Sequence, residues 1–187
     1  MAKQKNNIIM RSTRGMVGGQ IVFKRRAGRG YVAAAPEVNE NRLPTPAQQT
    51  VRDRFKTSIE YAQNAIKDPA VKQMYQQQAA RNQSAFNVAF KDANNAPKVL
   101  AVLLDGYAGV PGNAIIVRAF DDFKVIAVKV SIFKENGDLI EEGAAVLNNA
   151  GLWTYAVTQN NPNVIGSKVK AVAFDIPGNE GVLEVTA

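Results

Sequence analysis

The chain changes its hydrophobic rhythm twice. Before residue 44, short apolar runs alternate with glycines. Between 44 and 96, apolar positions recur every three or four residues, and from 97 onward they alternate singly with polar ones. The middle stretch opens on Pro44-Thr45-Pro46. Thr45 suits a helix cap, Pro46 the first helical position, and Gln48 stands three residues after the cap. A helix from there to about Lys67 lines up Val51, Phe55, Ile59, Ala62 and Ile66. Asp68-Pro69 restarts the chain for a second helix, to about Gln77 or on to Arg81. A third begins near Ser84, carries Phe86, Val88, Ala89 and Phe90, and ends at Asn94-Asn95-Ala96-Pro97.

After Pro97 the period shortens to two. Strands are expected at 99–104, 113–120, 125–133, 139–147, 153–158, 167–174 and 181–185. Glu135-Asn136-Gly137-Asp138 is a hairpin turn, because Asn-Gly readily takes positive φ. Seven short strands at close spacing predict a β-sandwich. Trp153, the single tryptophan, is expected as a core plug with Tyr155 on its face.

Ahead of the helices, Ile8, Ile9 and Met10 form a small apolar cluster, and Gly15–Gly19 reads as a flexible turn. Two extended pieces follow, at about 20–25 and 30–34, joined by a turn at 27–30. An isolated hairpin is marginal in water, so it needs a partner surface or the body of the chain. The expected fold class is α+β in three parts. An extended basic arm with a short hairpin covers 1–43, a short helical module 44–96, and an immunoglobulin-like β-sandwich 97–187.

Charge sharpens this division. Residues 1–30 hold eight Lys or Arg and no acid, residues 31–96 carry a net +2, and residues 97–187 a net −3. A protein of net +7 thus keeps its excess in one terminal segment, which favours nucleic acid or an acidic protein surface as partner. No apolar run reaches the ~20 residues of a membrane span, so no membrane partner is expected. No apolar stretch of the secretory type follows the basic start, which points to the cytoplasm or a particle assembled there. The chain has neither cysteine nor histidine. Disulfides, thiol chemistry and the commonest acid–base group and zinc ligand are therefore excluded.

The candidate contact residues are Lys24, Arg25, Arg26 and Arg29, with Ile21, Phe23 and Tyr31 as apolar anchors. Three readings stand. The cations grip phosphates while Phe23 and Tyr31 stack on bases. Alternatively they dock on an acidic partner subunit, or the segment is a solvated tail. The Gly15–Gly19 cluster lacks the Gly-Lys-Ser/Thr ending of a phosphate loop. Glu60, Asp68 and Asp92 lie too far apart in sequence to suggest a pair, and read as solvated helix charge. Asp105, Asp121, Asp122, Glu135, Asp138, Glu141, Glu142, Asp175 and Glu180 fall in or beside turns. Calcium suits such oxygens, but no stretch matches an EF-hand loop. No catalytic, cofactor or metal residues are assigned, and no enzyme is expected.

Two resemblances add to this. The stretch 115–173 resembles a bacterial immunoglobulin-like domain, through Ile-Ile-Val-Arg-Ala-Phe-Asp-Asp-Phe, Val-Lys-Val-Ser-Ile-Phe-Lys-Glu-Asn-Gly-Asp, Trp-Thr-Tyr and Val-Lys-Ala-Val-Ala-Phe-Asp. The whole chain is similar to small structural proteins of phages and mobile elements of gut Bacteroidetes, including the crAss-like group. Gly18–Arg26 with Tyr31-Val32, Pro44-Thr45-Pro46-Ala47-Gln48, Arg54-Phe55, Asn94–Pro97 and the immunoglobulin-like tail carry this second likeness. It implies a non-enzymatic virion protein, made in the host cytoplasm, that assembles through its N-terminal arm and helices. Such a protein sits in a ring near the portal, a collar, a tail or a capsid-associated layer. Its partners would be copies of itself and other virion proteins. The alternative is a nucleic-acid-binding or packaging protein using residues 1–30. An adhesion or carbohydrate-binding module would need an exposed aromatic platform.

Overall fold

A computed structural model describes residues 13–26, 28–36 and 43–187 in full, and residues 2–4 as backbone. The apolar cluster at 8–10 lies outside the described residues. The chain divides into two compact units, 1–49 and 50–187.

The first unit holds a four-stranded antiparallel sheet in the order β1-β4-β3-β2, formed by β1 (Ala2–Gln4), β2 (Gly15–Val17), β3 (Ile21–Arg26) and β4 (Arg29–Ala34). Gly18 and Gly19, at φ 60° and 66°, make the tight turn between β2 and β3, a conformation that costs glycine little. The expected extended arm with a lone hairpin is therefore corrected. The hairpin is real but sits between two further strands. Arg26 pairs with Arg29, so Arg29 and Gly30 belong to the ladder rather than the turn.

The second unit opens with three helices, α1 (Pro46–Ala65, its first turn in the preceding unit), α2 (Pro69–Gln77) and α3 (Ala85–Asn94). Thr45 and Gln48 exchange the two bonds of a capping box, at 3.0 and 3.3 Å. Asp68 accepts from the Ala70 and Val71 amides, and Ser84 from Asn87. Their core is small: Ala62, Tyr75, Ala85 and Ala89, flanked by Phe86, Phe90 and Phe123. Val51 and Phe55, expected on the packed face of α1, are more than half exposed.

The remaining strands form two sheets. One has the order β5-β6-β10-β9, from β5 (Lys98–Leu103), β6 (Ala114–Phe120), β10 (Trp153–Ala156) and β9 (Val146–Leu147). The other has the order β12-β11-β7-β8, from β12 (Glu180–Thr186), β11 (Lys168–Asp175), β7 (Val125–Phe133) and β8 (Leu139–Ala144). Ile115, Val117, Trp153 and Tyr155 share one apolar core with Val128, Val130, Ile132, Val169, Ala171 and Ala173. Gly137, at φ 92°, completes the turn from β7 to β8.

This is an α+β fold with three open sheets, and it corrects the expected immunoglobulin-like β-sandwich. No sheet closes. Strands β5, β9, β12 and β8 stand at edges, and among the described residues no ladder joins one sheet to another. The expected strand 139–147 is two strands. It breaks at Ala145, whose N–H donates to the Val128 carbonyl at 2.8 Å. Residues before the break pair with β7 and those after it with β10. Alternation fixes which face of a strand is buried, whereas long-range ladder bonds decide which strands associate. Among the described residues, no helix is long and apolar enough to cross a membrane.

Candidate interface and carboxylate site

In the N-terminal sheet, neighbouring residues of a strand face opposite ways, and directly opposed residues share a face. Phe23 lies opposite Val32, and Ile21 opposite Ala34 and Val17. Those residues and Arg25 occupy one face. Lys24 lies opposite Tyr31, and Arg26 opposite Arg29, on the other. The seven residues singled out from the sequence thus come together in one hairpin but split between its faces. Ile21 and Phe23 form an apolar face, whereas Tyr31 stands among three of the four cations. Lys24, Arg25, Arg26 and Arg29 are all exposed, and Phe23 and Tyr31 are half-buried. None of the described residues from 13 to 45 is buried.

A second site lies in the C-terminal unit, among residues that no sequence motif marks. Asp92 on α3, Asp121 just after β6 and Asp175 at the end of β11 each bring a carboxylate oxygen within 4.8 Å of the other two. Asp92, expected as solvated helix charge, is 1% exposed, and Asp175 is fully buried.

Each carboxylate accepts hydrogen bonds from donors outside the trio. Asp92 Oδ2 accepts from the Tyr75 hydroxyl at 2.7 Å, and that hydroxyl lies 2.9 Å from Tyr61 Oη. Asp121 Oδ2 accepts the amides of Phe123 and Lys124, at 2.8 and 2.9 Å. Asp175 accepts from the Asn179 amide at 2.6 Å and from Asn179 Nδ2 at 2.8 Å. The same Nδ2 reaches the carbonyls of Asp92 and Ala93, near the end of α3. Asp92 Oδ1 and Asp121 Oδ1 are buried with no hydrogen-bond partner.

Electrostatically the trio is frustrated. Burial pushes the Asp92 carboxyl up to about 7. The Tyr75 bond opposes that rise, while the Asp121 and Asp175 charges and the direct approach of the Asp121 carboxyl add to it. Burial likewise raises Asp175, against the pull of its Asn179 bonds. The nearby cation Lys91 pairs instead with Asp122, at 3.3 Å. No sequence spacing foretells this trio, because its members come from three elements far apart along the chain.

Trp153 is 8% exposed and lies in the core, so it offers no exposed platform for a sugar. No known protein family matches the chain. No curated protein matches it either. Among solved structures, the chain is similar to an engineered protein whose crystal structure came from the Northeast Structural Genomics Consortium. That likeness covers 54% of this chain and 22% of the other, at 22% identity and a TM-score of 0.34. The chain thus spans about a fifth of that protein's length, and so distant a likeness carries no functional argument. Without an immunoglobulin-like tail, a portal-proximal ring, tail or capsid-associated placement loses part of the resemblance that implied it.

Proposed function

We propose that this protein is a non-enzymatic structural protein of a phage virion that assembles through its N-terminal sheet. The virion part rests on the motif resemblance at 18–26, 31–32, 44–48, 54–55 and 94–97. The assembly part rests on one observation. A four-stranded sheet with apolar residues on one face has no buried residue among those described from 13 to 45. Sheets of this kind gain stability by covering a face. A neighbouring subunit that covers Ile21, Phe23 and Val32 supplies that cover, while the opposite cations meet acidic groups.

Light scattering on the full chain and on a chain lacking residues 1–36 tests this reading. A defined oligomer that dissociates without the segment supports it. A monomer in both forms overturns self-assembly through the sheet.

A second reading has its own support. Tyr31 shares a face with Lys24, Arg26 and Arg29, the mixture of ring and cations that grips single-stranded nucleic acid. Binding that weakens steeply with salt, and weakens further when Arg26 and Arg29 become alanine, would favour it.

A further inference from the structure

We propose that Asp92, Asp121 and Asp175 form a binding site for a hard divalent cation, Ca²⁺, which fastens the end of α3 to the ends of β6 and β11. The site lies wholly within residues 50–187 and does not depend on the N-terminal sheet.

Distance comes first. Oxygens around one Ca²⁺ sit about 2.3–2.6 Å from it, so any two are at most roughly 5 Å apart. The three carboxylates each offer an oxygen, and all three oxygens lie within 4.8 Å of one another.

The second observation is independent of the clustering. Asp92 is 1% exposed, and its Oδ1 is buried without any hydrogen-bond partner, as is Asp121 Oδ1. A buried carboxylate oxygen without a donor is costly, and two in one cluster call for a positive species between them. Among the described residues, no lysine or arginine forms a salt bridge with any of the three. The Tyr75 hydroxyl binds Asp92 Oδ2 and the Phe123 and Lys124 amides bind Asp121 Oδ2, whereas both Asp175 oxygens accept from Asn179 and keep one lone pair each. Such contacts orient ligands and leave lone pairs free. Asp92 also stands in the last turn of α3, where the helix carbonyls add negative potential.

Chemistry selects the ion. The donors are all oxygen, and the chain has no histidine or cysteine to favour zinc or copper. Mg²⁺ usually keeps several waters and takes one or two carboxylates, whereas three carboxylates from separate segments suit the larger, more tolerant Ca²⁺.

The test uses the full chain, stripped with EDTA, with Ca²⁺ as the probe. Calorimetric titration is expected to show one ion per chain. Calcium at a hundredfold excess over its Kd is expected to raise the Tm of the Trp153 signal by about 5–10 °C. Asp121→Asn should weaken binding at least tenfold. Asp92→Asn should lose the calcium response yet melt no lower than wild type in EDTA, because its amide can donate towards Asp121 Oδ1. Asp122→Asn, one residue from the cluster, should respond as wild type does. If Asp92→Asn does not fold, Asp121→Asn against Asp122→Asn makes the same comparison. Absence of heat and of any Tm shift in the wild type would overturn the site and leave a proton shared between Asp92 and Asp121. A calcium affinity unchanged in Asp121→Asn would overturn it equally.

Discussion

At the scale of the residue, buried polar groups decide the most. Glu141 is 8% exposed, and its Oε2 accepts from the Tyr155 hydroxyl at 3.0 Å, the Thr158 amide at 2.9 Å and the Thr158 hydroxyl at 2.6 Å. Burial alone would raise its pKa, but these bonds to the charged form win, and it lies below the ordinary value of 4.5. A carboxylate with a depressed folded-state pKa stabilises the fold fully above its unfolded value. That contribution disappears as the pH falls through the folded value. Denaturant midpoints measured from pH 7 down to pH 3 should therefore fall less steeply in Glu141→Gln than in wild type. At pH 7 the variant should be less stable by about 1–3 kcal/mol, the usual scale for hydrogen bonds to a charged group. Tyr75 is a second case. It is fully buried, and its hydroxyl serves both Tyr61 and Asp92. Tyr75→Phe should cost about 1–3 kcal/mol in urea unfolding, because Asp92 then loses its one hydroxyl donor. Neither role was legible from sequence. A tyrosine in a helical pattern reads only as apolar surface, and its hydrogen-bond partner here lies on another helix.

At the scale of the element, local signals served well. Thr45, Asp68 and Ser84 start the three helices through the bonds their side chains accept. Asp68→Ala should destabilise the second unit by about 1 kcal/mol, measured by thermal or urea unfolding. The strands fall close to where alternation puts them, because a half-buried strand writes its period of two directly into the sequence. The break at Ala145 was not visible, since 139–147 carries no proline or pair of glycines to mark it. Gly181 shows what alternation hides. It pairs with Ala173 in the ladder, and a Cβ added there would run into the Pro97 carbonyl at the entry to β5. A methyl group there would collide with backbone that has no flexible end to move. Gly181→Ala should cost about 1–3 kcal/mol, the usual penalty of overpacking, seen as a lower urea midpoint with an unchanged slope.

At the scale of the whole molecule, burial is uneven between the two units. Every buried hydrophobic residue among those described falls between Ala62 and Ala173. A chain comprising 43–187 keeps the Thr45 cap and all of that core. It should melt within about 2 °C of the full chain, with the same near-ultraviolet signal from Trp153. A large drop would mean that residues 1–42 stabilise the second unit. The sequence by itself determined the charge polarity, the helix starts and the strand periodicity. It also brought Lys24, Arg25, Arg26, Arg29, Ile21, Phe23 and Tyr31 together, since a hairpin joins near neighbours. These properties depend on contacts within a few residues, so local chemistry encodes them. The tertiary structure alone decided that the first segment is a four-stranded sheet with distinct faces. It alone kept the C-terminal sheets open, with residues 139–147 shared between them. It also drew Asp92, Asp121 and Asp175 into one buried cluster. Each of those depends on segments far apart in the chain, whose pairing is set by packing and ladder bonds that no local pattern records.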